Sequence, residues 1–122
     1  MPKADRRRIL IAEEIHLVAK DNRSRMILSV NESNGQPSIQ LNDEAGLARI
    51  QIALNPAGSP VIAIMRPDGK TLVGFGANRD TGVGMSINDQ DGNVAIHLCS
   101  FPDGTRQIDI YDRDGKPIWG VP

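Results

Sequence analysis

The chain has 122 residues, a formal net charge of −1 at pH 7 and one cysteine, Cys99. This length is typical of a single domain. The near-neutral charge gives no strong attraction for nucleic acid, and a lone cysteine excludes an intramolecular disulfide and fits a reducing compartment. Only 3% of the residues are aromatic. Because aromatic rings fill much of a thick protein core, we expect a thin core of aliphatic side chains instead.

The amino terminus is basic and then apolar. Lys3 and the run Arg6-Arg7-Arg8 predict a flexible, solvated tail over residues 1–8. The apolar run from Ile9 to Ala12 suits the start of a first strand, with a helical turn as the alternative. It is too short for the core of a signal peptide, and no apolar run approaches the ~18 residues of a membrane span. We therefore expect a cytoplasmic protein without a membrane partner, while export by another route or assembly into a phage or other particle stays open.

A repeat of 23 residues organises the rest of the chain. Glycine recurs at this spacing after short acidic or Pro-Asp clusters, where a turn needs a positive φ. The positions of the first glycine set are Gly46, Gly69, Gly92 and Gly115, and those of the second are Gly35, Gly58 and Gly104, with Thr81 in the remaining slot before Gly82. The pattern predicts one repeat domain over residues 9–122, with units of about 13–36, 37–59, 60–82, 83–105 and 106–122. In the degenerate first unit, Asn22 takes the place of the turn glycine.

Apolar residues alternate with other residues inside each unit, as in Ile39 and Leu41 and then Ile50, Ile52 and Leu54. A period of two residues predicts β-strands with one face turned inward. The fold class is therefore all-β, a repeat of antiparallel hairpins in a meander that is prism-like or barrel-like. The alternative is a β-solenoid with one repeat per coil. Trp119 falls on the inward face, which argues against a role as an outward platform for carbohydrate.

One unit is apolar or small on its outward side as well. The outward positions of residues 60–82 are Val61, Ala63, Met65, Leu72, Gly74 and Gly76. A solvated sheet face does not have this composition. Two interpretations stay open: the strand from Ile9 to Ala12 covers this patch, or the patch is a subunit interface of a homo-oligomer. A threefold oligomer of the β-prism type would also explain a thin aliphatic core.

Three polar residues are predicted to share an outward row. Pairing apolar residues with each other across neighbouring strands of a meander places Ser86 opposite His97 and His97 opposite Asp109. Directly opposed side chains stand ~5 Å apart, and the row has the composition of a Ser-His-Asp catalytic triad. It has no nucleophile elbow and no pocket that would exclude water, so a polar cross-strand ladder is the preferred interpretation. In a solenoid, Ser86 would stack on Asp109 instead.

Two further groups have the composition of metal ligands. The turns containing Asp89, Asp91, Asp112 and Asp114 have the carboxylate spacing of calcium loops, but the further oxygen ligands of an EF-hand loop are missing. Capping of the turns is the preferred interpretation. His97 and Cys99 point the same way and could supply two soft ligands, whereas a structural zinc site needs four. No metal and no cofactor are therefore predicted.

The segment from Ile39 to Ile52 follows the series Ile-x-Leu-x-Asp-x-x-Gly-x-x-Arg-x-x-Ile, with Asn42 at an unspecified position and Asp43 at the aspartate position. Residues 108–119 follow part of the same series. In this respect the chain resembles bacterial β-hairpin repeat proteins of unassigned function. The stretch from Tyr111 to Gly115 is also similar to one unit of the tyrosine-aspartate repeats of large toxin shells. The first resemblance implies a scaffold or interaction role. We therefore expect a structural or protein-interaction module that associates with itself and is not an enzyme; a carbohydrate- or calcium-binding module is the alternative, and a hydrolase the third.

Overall fold

The computed structural model describes residues 7–122, so the tail predicted for residues 1–8 lies almost wholly outside the described residues. Within 7–122, all regular structure is β: ten antiparallel strands pair in chain order in one sheet. The strands are β1 (Glu14–Val18), β2 (Ser24–Val30), β3 (Pro37–Asn42), β4 (Ala48–Leu54), β5 (Pro60–Met65), β6 (Thr71–Asn78), β7 (Gly82–Asn88), β8 (Val94–Ser100), β9 (Arg106–Tyr111) and β10 (Pro117–Val121). The predicted meander of hairpins is confirmed, and the solenoid alternative is wrong because neighbouring strands run antiparallel. The sheet is open, since β1 and β10 do not pair with each other.

The hairpin turns form where the repeat placed its glycines. In the turn between β3 and β4, the Gly46 amide donates to the Asp43 carbonyl at 3.0 Å, and Gly46 has a φ of 83°. Asn22, with a φ of 64°, adopts the same left-handed conformation and is the one non-glycine residue that does so among those described. In the β6–β7 hairpin the positive φ falls on Gly82. Thr81 does not adopt it, because a β-branched side chain is strained there.

The register brings two apolar residues from each of the ten strands of the described sheet into two rows on one face, which we call the ladder face. The first ladder is Ile15, Leu28, Ile39, Ile52, Ile62, Phe75, Met85, Leu98, Ile108 and Val121. The second ladder is Leu17, Met26, Leu41, Ile50, Ile64, Val73, Ile87, Ile96, Ile110 and Trp119. The opposite side of the sheet is the outer face.

Register shifts recur at one border of the sheet, next to the turns of the first glycine set. Each shift leaves one extra residue in the second strand of the hairpin, a β-bulge that increases local twist. Arginines occupy the first two of these positions. Arg25 Nε donates to the Asn42 carbonyl at 3.0 Å, and Arg49 Nε donates to the Met65 carbonyl at 2.8 Å. These contacts fasten each of those bulges to the next strand.

The expected aliphatic core does not exist within one chain. No residue in the described range is buried, and ladder residues such as Ile52 (41%) and Phe75 (37%) remain exposed. The accessible surface of the chain is 9522 Å². A compact globule of the same mass would expose roughly 6,400 Å². The alternation of apolar residues correctly predicted an apolar face, but a single layer has nothing to cover that face.

The amino-terminal prediction was also wrong in one respect. The segment from Ile9 to Ala12 is neither strand nor helix, and β1 begins only at Glu14. Ile9 and Ile11 are 71% and 92% exposed, so this segment does not cover the apolar outer patch. No helix that could cross a membrane occurs in the part of the chain described.

Candidate functional site

The strands place the predicted polar row side by side. Ser86 on β7 stands opposite His97 on β8, and His97 stands opposite Asp109 on β9. On the far side of Ser86 the row continues to Gly74, and beyond Asp109 it continues to Gly120. The three residues are therefore neighbours on the outer face because the apolar ladders on the other face fix the register.

The side chains of this row are not joined into a relay. Among the described residues, Ser86, His97 and Asp109 form no hydrogen bond with one another. Asp109 Oδ2 instead accepts from Gln107 Nε2 at 2.7 Å, and the His97 ring leans over Gly84, where Nε2 lies 3.6 Å from the position of an added Cβ. The arrangement can present polar groups to a ligand, but it does not hold an activated nucleophile.

Two shallow depressions flank His97 on the outer face. One, of about 440 Å³, has a glycine floor of Gly74, Gly76 and Gly84. The other, of about 600 Å³, is the more polar, and its lining consists of Ser86, Asn93, Val94, His97, Tyr111, Arg113, Asp114 and Gly115. Partial burial, followed by the nearby Asp109 carboxylate, raises the pKa of Tyr111 above its usual value.

The aspartates of the predicted calcium loops serve the turns themselves. Asp89 Oδ1 accepts the amides of Asp91 and Asn93, both at 2.9 Å. In the next unit, Asp112 Oδ1 accepts the amides of Asp114 and Lys116, also at 2.9 Å. One carboxylate oxygen per turn is thus already committed to the backbone, as in an Asx-turn.

The other proposed ligands remain too few for a metal centre. His97 and Cys99 lie two residues apart on the same face of β8, and the Cys99 thiol is free and half-buried. In residues 7–122, no group of three or more His, Cys, Asp or Glu side chains is arranged to hold a metal ion. His16 lies at the far edge of the sheet, where its ring contacts Glu14 and Ser24.

The predicted interface residues of residues 60–82 lie together. Val61 stands opposite Gly76 and Ala63 opposite Gly74. Leu72 is the bulged residue of β6, beside the pair of Met65 and Thr71. The outer patch therefore lies on two neighbouring strands, β5 and β6, in the middle of the sheet.

The ladder face is the most extensive apolar surface left uncovered in residues 7–122, although the alternation pattern predicted it as one wall of a core. Two grooves cross it: one of about 500 Å³ beside Phe75, Met85 and Leu98, and one of about 450 Å³ beside Leu28, Ile39 and Ile52. The same alternation pattern would arise in a sheet that is covered within its own chain. The signal in the sequence is that every unit contributes apolar residues to the same face of the sheet. Comparison with protein-family models and with curated proteins gives no match for this chain.

Proposed function

We propose that this chain is a structural module that works by self-association, with the ladder face of one copy packed on the ladder face of another. The supporting observation is that both apolar ladders run uncovered across all ten strands of the described sheet. Burial of apolar surface is the main favourable term in folding and in association. A single-layered sheet buries little apolar surface until a second layer packs on it.

The dimensions of the face suit such a contact. Strands ~4.8 Å apart make a ten-stranded sheet roughly 45 Å wide, and strands of about six residues are roughly 20 Å long. The resulting face of roughly 900 Å² reaches the ~800 Å² per partner of a standard stable interface. Side chains of the second copy would enter the two grooves. Two copies would form a sandwich and three a triangular prism, both with the same apolar interior.

Light scattering on a size-exclusion column across a dilution series tests this proposal. The wild-type chain is expected to run at two or more times its 13.2 kDa mass. Ile52→Glu places a charge in the middle of the ladder face and should dissociate the oligomer. Gln51→Glu adds the same charge one residue away on the outer face and should leave it intact. A folded wild-type monomer at every concentration would contradict the proposal.

A second candidate function rests on the depression of about 600 Å³ beside His97. Its hydroxyl, amide, imidazole and guanidinium groups, together with the ring of Tyr111, suit a small polar ligand such as a sugar. A ligand that binds the native state raises the melting temperature. Thermal shifts with a panel of monosaccharides should then disappear in Tyr111→Ala and persist in Tyr111→Phe if ring stacking carries the binding.

A further inference from the structure

The two open edges of the sheet fit each other. The edge residues of the second ladder, Leu17 on β1 and Trp119 on β10, are 54% and 51% exposed, more than any other member of either ladder. Each of them has a neighbouring strand on one side only. β10 carries no charged residue, although charge is one of the usual protections of an edge strand against pairing.

The repeat specifies which strand would follow β10. Across the hairpins without a bulge, Ile96 pairs with Ile110 and Leu98 pairs with Ile108. Continuing this register by one unit places a residue equivalent to Leu17 opposite Trp119, and one equivalent to Ile15 opposite Val121. β1 therefore has apolar residues at the positions that a strand paired with the free edge of β10 would need.

We propose that β10 of one copy pairs antiparallel with β1 of a second copy, with Trp119 opposite Leu17 and Val121 opposite Ile15. This inference rests on the proposed self-association and names its second contact. Both ladders then continue unbroken from one chain into the next. Such a contact joins two different surfaces, so repetition gives either a ring or an open filament.

The backbone groups at the two edges are complementary. Val30 donates its amide to the Glu13 carbonyl at 3.1 Å. Because N–H and C=O groups of successive strand residues point to alternate sides, Glu14, His16 and Val18 direct theirs to the free edge. By the same alternation, Gly120 directs its N–H and C=O outward on β10. Gly120 and His16 of the second copy would then form a hydrogen-bonded pair.

Asp109 occupies the outer face beside this pair. Asp109 lies above Gly120, and an added Cβ on Gly120 would stand 2.7 Å from Asp109 Oδ1. The Asp109 carboxylate therefore fills the space above Gly120 and faces the edge. In the proposed register, His16 of the second copy would lie beyond Gly120 in the same row, with its ring held by Glu14 and Ser24 of its own chain.

Basic side chains that join successive turns also support the pairing of β10 with β1 of a second copy. Arg23 Nη1 donates to the Glu44 carbonyl at 2.7 Å, and Lys70 Nζ donates to the Asp91 carbonyl at 3.1 Å, each across 21 positions to the next turn. Lys116 is equivalent to Lys70, and its next turn lies in the second copy. In the register proposed, Lys116 meets the Asp21 carbonyl of that copy.

Disulfide trapping between copies tests the pairing, in a Cys99→Ser background so that only introduced thiols react. Ile15→Cys and Val121→Cys are made as separate chains, so that neither can close on itself, and are mixed under mild oxidation. Directly opposed residues of a non-hydrogen-bonded pair have the Cβ separation that a disulfide needs. The matched control replaces Ile15→Cys by Leu17→Cys, which is one ladder out of register with Val121.

The expected result is a mixed disulfide dimer, identified by intact mass, in several-fold excess over that in the Leu17→Cys mixture. Equal yields in the two mixtures would overturn the proposed register. No mixed dimer from chains that still self-associate by light scattering would overturn the edge contact and leave the ladder-face contact standing. A chain carrying both cysteines that forms only an internal bridge would show that β1 and β10 meet within one molecule, which also overturns the proposal.

Discussion

Gly82 lies so close to the main chain of Ser100 that an added Cβ would overlap the Ser100 carbonyl oxygen and stand 2.9 Å from its carbonyl carbon. The two residues belong to neighbouring strands, where Val83 pairs with Ser100. Gly82 also has a φ of 89°. Two independent constraints, one of conformation and one of space, therefore require glycine at this position.

Gly82→Ala is expected to destabilise the protein by about 3 kcal/mol or more, because it adds a backbone collision to the strain of a left-handed residue. Gly58→Ala is the matched control. Gly58 has a φ of 81° and nothing within 4 Å of an added Cβ, so it should lose only about 1 kcal/mol. Urea unfolding at equal chain concentration measures both losses. Equal losses would show that the Ser100 backbone moves aside freely.

Asn22 offers a test of the degenerate first unit. Its φ of 64° suits glycine and is tolerated by asparagine. Asn22→Gly should be close to neutral, whereas Asn22→Ala should cost about 1 kcal/mol because alanine gains nothing from the left-handed conformation. Thermal unfolding of the two variants separates them. A loss in Asn22→Gly as large as that in Asn22→Ala would assign the stability to the asparagine side chain instead.

Calcium binding and turn capping by Asp89 predict opposite effects of calcium on the melting temperature. Because Asp89 Oδ1 already accepts two backbone amides, we expect calcium to leave the melting temperature unchanged. Asp89→Asn should then be nearly neutral, since Asn55 caps its own turn in the same way. Asp89→Ala should cost about 1–2 kcal/mol for the lost hydrogen bonds. A calcium-dependent rise in melting temperature that Asp89→Asn abolishes would favour the binding module.

Acid should weaken the turns through Asp43 and Asp103. The Leu47 amide, which donates to Asp43, lowers the pKa of that carboxyl, and the Thr105 amide does the same for Asp103. A lowered native pKa gives stability that is fully present above the unfolded value, 3.8, and is lost as the pH falls through the native pKa. The melting temperature should therefore drop below about pH 3.8. The double variant Asp43→Asn and Asp103→Asn should flatten this drop, and an unchanged acid profile would assign the effect to other carboxylates.

The strands and their register could be predicted because two kinds of evidence agreed. Apolar alternation marked Ile39 and Leu41 as one face, and the spacing of Gly46 and Gly69 fixed where each hairpin turned. The pairing of His97 with Asp109 followed from the same alignment. By contrast, the alternation of apolar residues does not predict the bulges at Arg25 and Arg49. One extra residue beside a turn cannot be distinguished, in the sequence, from a residue of the turn.

What lies over the ladder face could not be predicted from the same signals. Ile52 has the same sequence neighbours whether it faces another segment of its own chain or another molecule. The run from Ile9 to Ala12 had the composition of a cover, yet Ile11 is 92% exposed. An apolar composition does not provide this segment with a strand to pair with. The residues just before β1 also form no turn that would direct the segment back over the sheet.

The constant register has a consequence for how such a protein can change over time. Each 23-residue unit adds two strands that meet their neighbours in the same way. Duplication or loss of a unit in the gene would therefore widen or narrow the layer by roughly 10 Å without disturbing the pairing of the remainder. The number of copies of one short segment therefore sets the width of the sheet.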